Sequence, residues 1–206
     1  QHQDGHSQLV ATTIPNCVAY DPAYAYELAV IVWDGLRRMY AERESIFYYI
    51  TCMNENYVQP ALPPGTETGI LKGMYLLQRG GKGKVRANLL GSGTILREVI
   101  RAAEVLEQDF GVPVDVFSVT SFSELRREAL ECERFNMLHP GGKRRASWVE
   151  QCLADREGPV VATFQMMADV GAIIGPLIAA AIVTVTGSYS AGFLVGAGIL
   201  AVTFTL

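Results

Sequence analysis

Residues 85–120 read VRANLLGSGTILREVIRAAEVLEQDFGVPVDVFSVT, and this stretch determines the fold class. The apolar run 85–90 ends at the turn GSG, residues 91–93, and apolar residues then recur along one face of 94–110 at helical spacing. A nearly all-apolar run at 114–119 has the pattern of a strand that is covered on both faces. This order predicts strand, helix, strand, which is the repeating unit of a parallel sheet with right-handed crossovers.

The sequence that follows extends this unit. Ser121 and Glu124 have the spacing of a capping box, which predicts a helix that runs to about residue 138. A short apolar strand at 159–162 would complete the pattern. We therefore expect an α/β fold with an open, mostly parallel sheet over 85–162.

The turn Gly91-Ser92-Gly93 has two interpretations. Amides at a helix N-terminus attract anions, so a phosphate site is one of them. The third glycine of GxGxxG is missing, because Leu96 stands in its place. We favour a tight structural turn over a phosphate site.

The chain before this unit has weaker signals. Asp21-Pro22 has the residue types of a helix start, and it predicts a helix over 22–43 that is apolar on most sides and therefore buried. Aromatic and β-branched residues at 45–53 predict a strand, and 70–78 reads as a short amphipathic stretch. The run RGGKGK at 79–84 predicts a linker between a first domain, 1–78, and a second, 85–162.

Charge and cysteine usage exclude several classes. The net charge is −4, from 17 Lys and Arg against 21 Asp and Glu, so the chain is not a basic nucleic-acid binder. Its four cysteines are widely separated, which predicts reduced thiols rather than a zinc site or a disulfide framework.

The C-terminal segment differs from the rest of the chain. After Glu157 the only charged residue is Asp169, and 170–206 contains none. The apolar stretches 170–187 and 189–206 are each just long enough to cross a hydrocarbon core, so we predict a hydrophobic helical hairpin of two transmembrane helices within 163–206. The alternative is a hydrophobic hairpin that is buried inside a soluble fold.

Two histidines near the start are the candidate catalytic groups. His2, Asp4 and His6 alternate, but they lack a fourth ligand, so no metal site is predicted. Imidazoles titrate near neutral pH, which favours contact with a substrate or proton transfer.

Several long segments carry a family resemblance. They are QHQDGHS at 1–7, TIPNCVAYDPAYAYELAVIVWDGLRRMY at 13–40, FYYITCMNENYVQPALPPG at 47–65, LLGSGTILREV at 89–99, DVFSVTSFSELRRE at 115–128 and ERFNMLHP at 133–140. Over 1–162 the chain resembles the homodimeric, bacterial type of pyruvate dehydrogenase decarboxylating component, of the transketolase superfamily. The resemblance implies a fragment of the pyrimidine-binding domain, 1–78, and of the transketolase-like C-terminal domain, 85–162.

The resemblance also implies a reaction and its partners. Thiamine diphosphate, with magnesium, would add to pyruvate, carbon dioxide would leave, and the two-carbon unit would pass to the lipoyl domain of the acyltransferase core. The family is a homodimer, and residues 1–157 would be cytoplasmic. His2 matches the histidine that lies against the substrate intermediate, where it would donate a hydrogen bond to the developing alkoxide. His6 matches the second histidine and would support it, and Gln8 stands where the family commonly has a third.

Two further expectations follow from the resemblance. The GDG...N segment that holds magnesium and diphosphate is absent from these 206 residues, so the chain alone is expected neither to bind the cofactor nor to be active. The tail from 163 resembles the last two helices of a major facilitator transporter, with Gly171, Gly175 and Pro176 in a GxxxGP arrangement. The tail would anchor the chain to the inner membrane, and the alternative function is a transporter fragment fused to an enzyme remnant.

Overall fold

The computed structural model of the chain describes residues 7–53, 55–83 and 85–163. The helices are α1 (Ser7–Ala11), α2 (Ala25–Leu36), α3 (Glu67–Lys72), α4 (Ile95–Phe110), α5 (Phe122–Leu138) and α6 (Trp148–Leu153), and a π-helical turn, Arg37–Ala41, follows α2. The strands are β1 (Cys17–Tyr20), β2 (Phe47–Ile50), β3 (Met74–Gln78), β4 (Ala87–Gly91), β5 (Val114–Val119) and β6 (Val160–Thr163).

These strands form two sheets. β1 and β2 make a parallel pair, with Cys17 opposite Phe47. The second sheet has the order β3-β5-β4-β6, in which β4, β5 and β6 are parallel and β3 is antiparallel to β5. The parallel arrangement predicted for three strands is confirmed, and the antiparallel edge strand β3 is an addition to it.

Helix α4 packs its predicted apolar face on the second sheet. Leu96, Val99 and Leu106 are buried there among residues of β4 and β5. The helix and strand approach closely at Gly91, where an added Cβ would lie 2.9 Å from the Cα of Leu96. Gly111 ends the helix in the left-handed region, with φ of 64°, so it is the cap that the sequence pattern suggests.

Helix α2 differs from its prediction in bounds and burial. It begins at Ala25 rather than at Pro22, and the amide of Ala25 donates to Oε1 of Gln59 at 2.9 Å. Glu27 in the first turn reaches back, and its Oε2 accepts from the amides of Ala23 and Tyr24, which precede the helix. It ends at Leu36, before the π-helical turn. The predicted burial is wrong for its outer face, where Trp33 is 72% exposed.

The amphipathic stretch predicted at 70–78 is two elements. Helix α3 ends at Lys72, and Gly73 takes a left-handed conformation with φ of 104°. The chain then turns into β3. An added Cβ at Gly73 would lie 2.6 Å from the carbonyl oxygen of Ser121, so only glycine fits this turn.

A buried carboxylate joins α2 to the second sheet. Glu27 is fully buried, and its Oε1 accepts from the hydroxyls of Tyr75 in β3 and Ser118 in β5, both at 2.6 Å. Its Oε2 accepts from the amides of Ala23 at 2.6 Å and Tyr24 at 3.0 Å. These four donors satisfy the hydrogen-bonding capacity of the carboxylate, which lowers the cost of its burial.

The predicted linker at 79–84 is held against the second sheet where the structure describes it. Asp115 of β5 has a side chain only 2% exposed, and its Oδ1 accepts from the amide of Gly80 at 2.8 Å. The same carboxylate pairs with Arg86 at 3.0 Å and with Arg156 at 2.7 Å. Strand pairing also crosses this segment, because β3 precedes it and lies in one sheet with β4. The division at 79–84 stays a prediction.

The predicted hairpin falls almost wholly outside the described part of the chain. The first of its residues, Thr163, is instead the last residue of β6 and donates to the carbonyl oxygen of Leu90 at 3.2 Å. Residues 164–206, with both apolar stretches, are not among those described. Within 7–53, 55–83 and 85–163, none of the helices is long and apolar enough to span a membrane.

Candidate functional site

Polar side chains converge where β1 and β2 end. Asp21 follows β1 and Thr51 follows β2, and because the strands are parallel, both lie at the same edge. The hydroxyl of Thr51 donates to Oδ1 of Asp21 at 2.6 Å. The carboxyl ends of parallel strands are where α/β proteins most often bind ligands.

Gln8 of α1 is bound to this edge. Its Nε2 donates to the carbonyl oxygen of Tyr20 at 2.9 Å and to Oγ1 of Thr51 at 3.0 Å. Thr51 thus accepts from Gln8 and donates to Asp21. This chain of hydrogen bonds fixes the first turn of α1, which directly follows the histidine-containing segment in sequence.

The turn between β4 and α4 meets Asp21 from the other sheet. Ser92 donates through its hydroxyl to Oδ2 of Asp21 at 2.9 Å, and the amide of Gly93 donates to the Asp21 carbonyl oxygen at 3.0 Å. A Cβ at Gly93 would lie 2.5 Å from Oδ2. The carboxylate of Asp21 therefore lies against the turn at which an anion would approach this helix N-terminus. This geometry favours the structural turn over the phosphate site.

The loop after β2 lies over the same edge. The hydroxyl of Tyr57 donates to the carbonyl oxygen of Ala23, and the guanidinium of Arg97 in α4 lies 4.7 Å from the centre of the Tyr57 ring. Arg97 also pairs with Glu55 at 2.9 Å. The loop is thus attached both to the start of α2 and to α4.

The thiol of Cys52, directly after Thr51, is a further titratable group at this edge. Partial desolvation, together with the charge of Asp21, raises the pKa of the Cys52 thiol, so it stays protonated near neutral pH. The residues that the structure describes contain no group of three or more His, Cys, Asp or Glu side chains that could hold a metal ion.

The predicted site histidines, His2 and His6, lie outside the described residues, and their roles stay predictions. The third histidine, His139, is at the end of α5, where Nδ1 lies 2.9 Å from the carbonyl oxygen of Phe135. The sequence analysis missed Asp21 and Thr51 as site residues. Each residue directly follows a strand in the sequence. That position indicates a shared site only once β1 and β2 are known to pair in parallel.

Comparisons with known proteins match most of the chain. Residues 1–60 match the pyruvate dehydrogenase E1 component middle domain, and residues 73–176 match the transketolase-like TK C-terminal domain. The second match continues past residue 162, where we expected the similarity to end, and includes the GxxxGP residues of the tail.

Among curated relatives, the pyruvate dehydrogenase E1 component of Pseudomonas aeruginosa is 61% identical over 168 residues, and that of Escherichia coli K12 is 56% identical over 170. Each alignment covers 81% of this chain and 19% of the relative, so the chain spans about a fifth of their length.

Solved structures resemble the fold. Transketolase from Campylobacter jejuni has a TM-score of 0.55 at 18% sequence identity, over 82% of this chain and 22% of that one. A transketolase from Pichia stipitis has a TM-score of 0.55 at 17% identity, over 81% and 21%. This likeness shows an α/β transketolase-like fold with a mostly parallel sheet.

Proposed function

Because this chain belongs to the transketolase-like family, as a portion of a pyruvate dehydrogenase E1 component, we propose that it supplies part of the site at which pyruvate is oxidatively decarboxylated and its acetyl unit is transferred to a lipoyl group. Within that site we assign the chain a role in contacting and positioning the substrate. The observation that carries this assignment is the pair of hydrogen bonds from Gln8 to Tyr20 and Thr51, at 2.9 and 3.0 Å.

The assignment follows from the position of Gln8. His2 and His6 precede it by only a few residues, so anchoring Gln8 restricts where their segment can lie. In our proposal His2 donates a hydrogen bond to the alkoxide that develops on the substrate, and His6 supports it. A donor aimed at developing charge stabilises the transition state more than the ground state.

Thiamine diphosphate with magnesium is the cofactor that this family implies, and the described residues do not fit it. The turn that precedes the nearest helix, α4, already lies against the Asp21 carboxylate, and the described ranges offer no cluster of metal ligands. We therefore propose that this chain alone neither binds the cofactor nor turns over pyruvate, and no step is routed through the cofactor.

The test uses a full-length relative. In the Pseudomonas aeruginosa protein, replacing the residue that aligns with His2 by Ala should lower kcat by about 10²–10³ and change KM much less. Replacing the residue that aligns with Val10, an exposed position of α1, is the matched control and should leave both constants within a factor of two or so. An unchanged kcat in the His2 variant would remove this residue from the site.

A second candidate function, a transporter fragment, is not favoured, because the transketolase-like match includes Gly171, Gly175 and Pro176. Homodimer formation and contact with a lipoyl domain are proposals that rest on the family. Membrane association through 163–206 is a separate proposal that rests on composition alone. The full chain and a variant that ends at Thr163 would be fractionated after expression, and an equal distribution between soluble and membrane fractions would contradict it.

A further inference from the structure

A groove of about 240 Å³ lies beside α5, away from the edge described above. Its lining includes Thr12, Leu130, Glu131 and three arginines, Arg126, Arg127 and Arg134. The lining holds three guanidinium groups and the Glu131 carboxylate, and a second carboxylate, that of Glu124, pairs with Arg127, in a chain whose net charge is −4. The groove is therefore a local concentration of positive charge, which attracts anions.

Arg127 is the fixed member of this cluster. Its Nη1 donates to Oε1 of Glu124 at 2.8 Å, and its Nη2 donates to the carbonyl oxygen of Cys17 at 2.9 Å. A guanidinium has five N–H donors, and these two bonds use two of them. The remaining donors are held in place by the two bonds that are already made, so less side-chain entropy is lost when they bind a ligand.

Arg126 and Arg134 complete the cluster from one helix face. They are eight residues apart, about 12 Å along the helix, with Leu130 midway between them. Neither makes an ion pair with another residue of the part of the chain that the structure describes. Like charges that line one groove repel, and a bound anion relieves that repulsion.

The size of the groove limits the ligand. Pockets for drug-sized molecules are about 300–1,000 Å³, so this groove suits a smaller group. Planar, forked guanidinium groups are suited to bidentate contact with phosphate oxygens. We propose that the groove binds a small phosphoanion, of the size of phosphate or pyrophosphate, through Arg126, Arg127 and Arg134. This inference does not depend on the proposed function.

The test titrates the full chain, in a neutral detergent if solubility requires it, with sodium pyrophosphate at low ionic strength. Binding is followed by calorimetry and by ³¹P line broadening. The double variant Arg126→Gln/Arg134→Gln should bind at least about tenfold more weakly. Arg101→Gln, on the exposed face of α4, removes an exposed cation elsewhere and should bind within about twofold of the unchanged chain.

Two measurements keep the test decisive if the double variant folds poorly. Far-UV circular dichroism checks its fold. The variant Arg126→Lys/Arg134→Lys keeps both charges but removes the planar guanidinium groups that make bidentate contacts, so we expect an intermediate affinity for pyrophosphate. The proposal is overturned if pyrophosphate does not saturate the chain below about 10 mM. It is also overturned if Arg101→Gln weakens binding as much as the double variant does, or if citrate binds as tightly as pyrophosphate.

Discussion

Replacing Glu27 by Gln should destabilise the protein by about 2–4 kcal/mol. The carboxylate accepts four hydrogen bonds in a fully buried position, two from backbone amides and two from the hydroxyls of Tyr75 and Ser118. In the Gln side chain the carbonyl oxygen can serve the amides, and the NH₂ group can donate to hydroxyls that rotate to accept. The number of hydrogen bonds stays the same, but none of them now involves a charged acceptor, and that charge contributes about 1 kcal/mol per bond.

Replacing Glu27 by Ala should cost more, about 4 kcal/mol or above, because all four buried donors lose their acceptor. A double-mutant cycle with Tyr75→Phe should be non-additive, since Tyr75 donates to Glu27 and also lies 2.6 Å, oxygen to oxygen, from the Tyr26 hydroxyl.

The assay is urea unfolding followed by tryptophan fluorescence. Trp148 reports on the contact between α2 and the second sheet, because its Nε1 donates to the carbonyl oxygen of Met74 at the start of β3. Trp33 is largely exposed and reports on it less. Glu133→Gln, at an exposed position of α5, is the matched control and should stay within about 0.5 kcal/mol of the unchanged protein. If Glu27→Gln also stays within that range, the four bonds do not contribute as argued.

Three other predictions concern stability. Asp115→Asn should lower the free energy of unfolding in urea by about 2–4 kcal/mol, because it leaves Arg86 and Arg156 without their shared carboxylate. A change below about 0.5 kcal/mol would contradict this. Gly158→Ala should cost at least about 1–3 kcal/mol by the same measurement, because φ is 90° there and an added Cβ would overlap the carbonyl oxygen of Arg86; an unchanged midpoint would show that the turn can relax. Burial raises the pKa of Tyr26 to about 12, so the folded state keeps a proton that the unfolded chain loses near pH 10. This contribution to the free energy of unfolding should therefore be fully present below about pH 10 and be lost from pH 10 to about pH 12. The free energy of unfolding should fall less over this range in Tyr26→Phe than in the unchanged protein. A rise over the same range would refute the assignment.

The second half of the fold could be predicted because its signals are local. Helix α4 has an apolar face at helical spacing and a glycine cap, and Ser121 accepts from the amide of Glu124 as its capping-box spacing indicates. Strand β5 has the predicted bounds, 114–119. In each case the residues that determine the element lie within it or beside it.

The first half was predicted less well because distant residues determine it. Asp21-Pro22 has the local pattern of a helix start, but the Asp21 carboxylate is bound by Thr51 and by Ser92, 30 and 71 positions away. Tertiary contacts therefore override the capping preference, and the helix begins at Ala25, whose amide donates to Gln59. The antiparallel β3 could not be predicted either, since its place depends on pairing with β5 across 40 intervening residues or so.

The candidate site divides in the same way. Family resemblance predicts His2 and His6, and spacing alone would not select them. The anchoring of Gln8 depends on a carbonyl oxygen and a hydroxyl from two different strands, so no local pattern in the sequence could indicate it.

The Asp21 carboxylate acts as an intramolecular anionic ligand of the β4–α4 turn. A free anion in solution would have to compete with a carboxylate that is always present at a local concentration on the order of millimolar or higher. The competition weakens if the two sheets separate, because the carboxylate then leaves with β1 while Ser92 and Gly93 stay with β4. An anion that binds the turn would thus favour the separated state, and high phosphate concentrations should loosen the contact between the sheets rather than strengthen it.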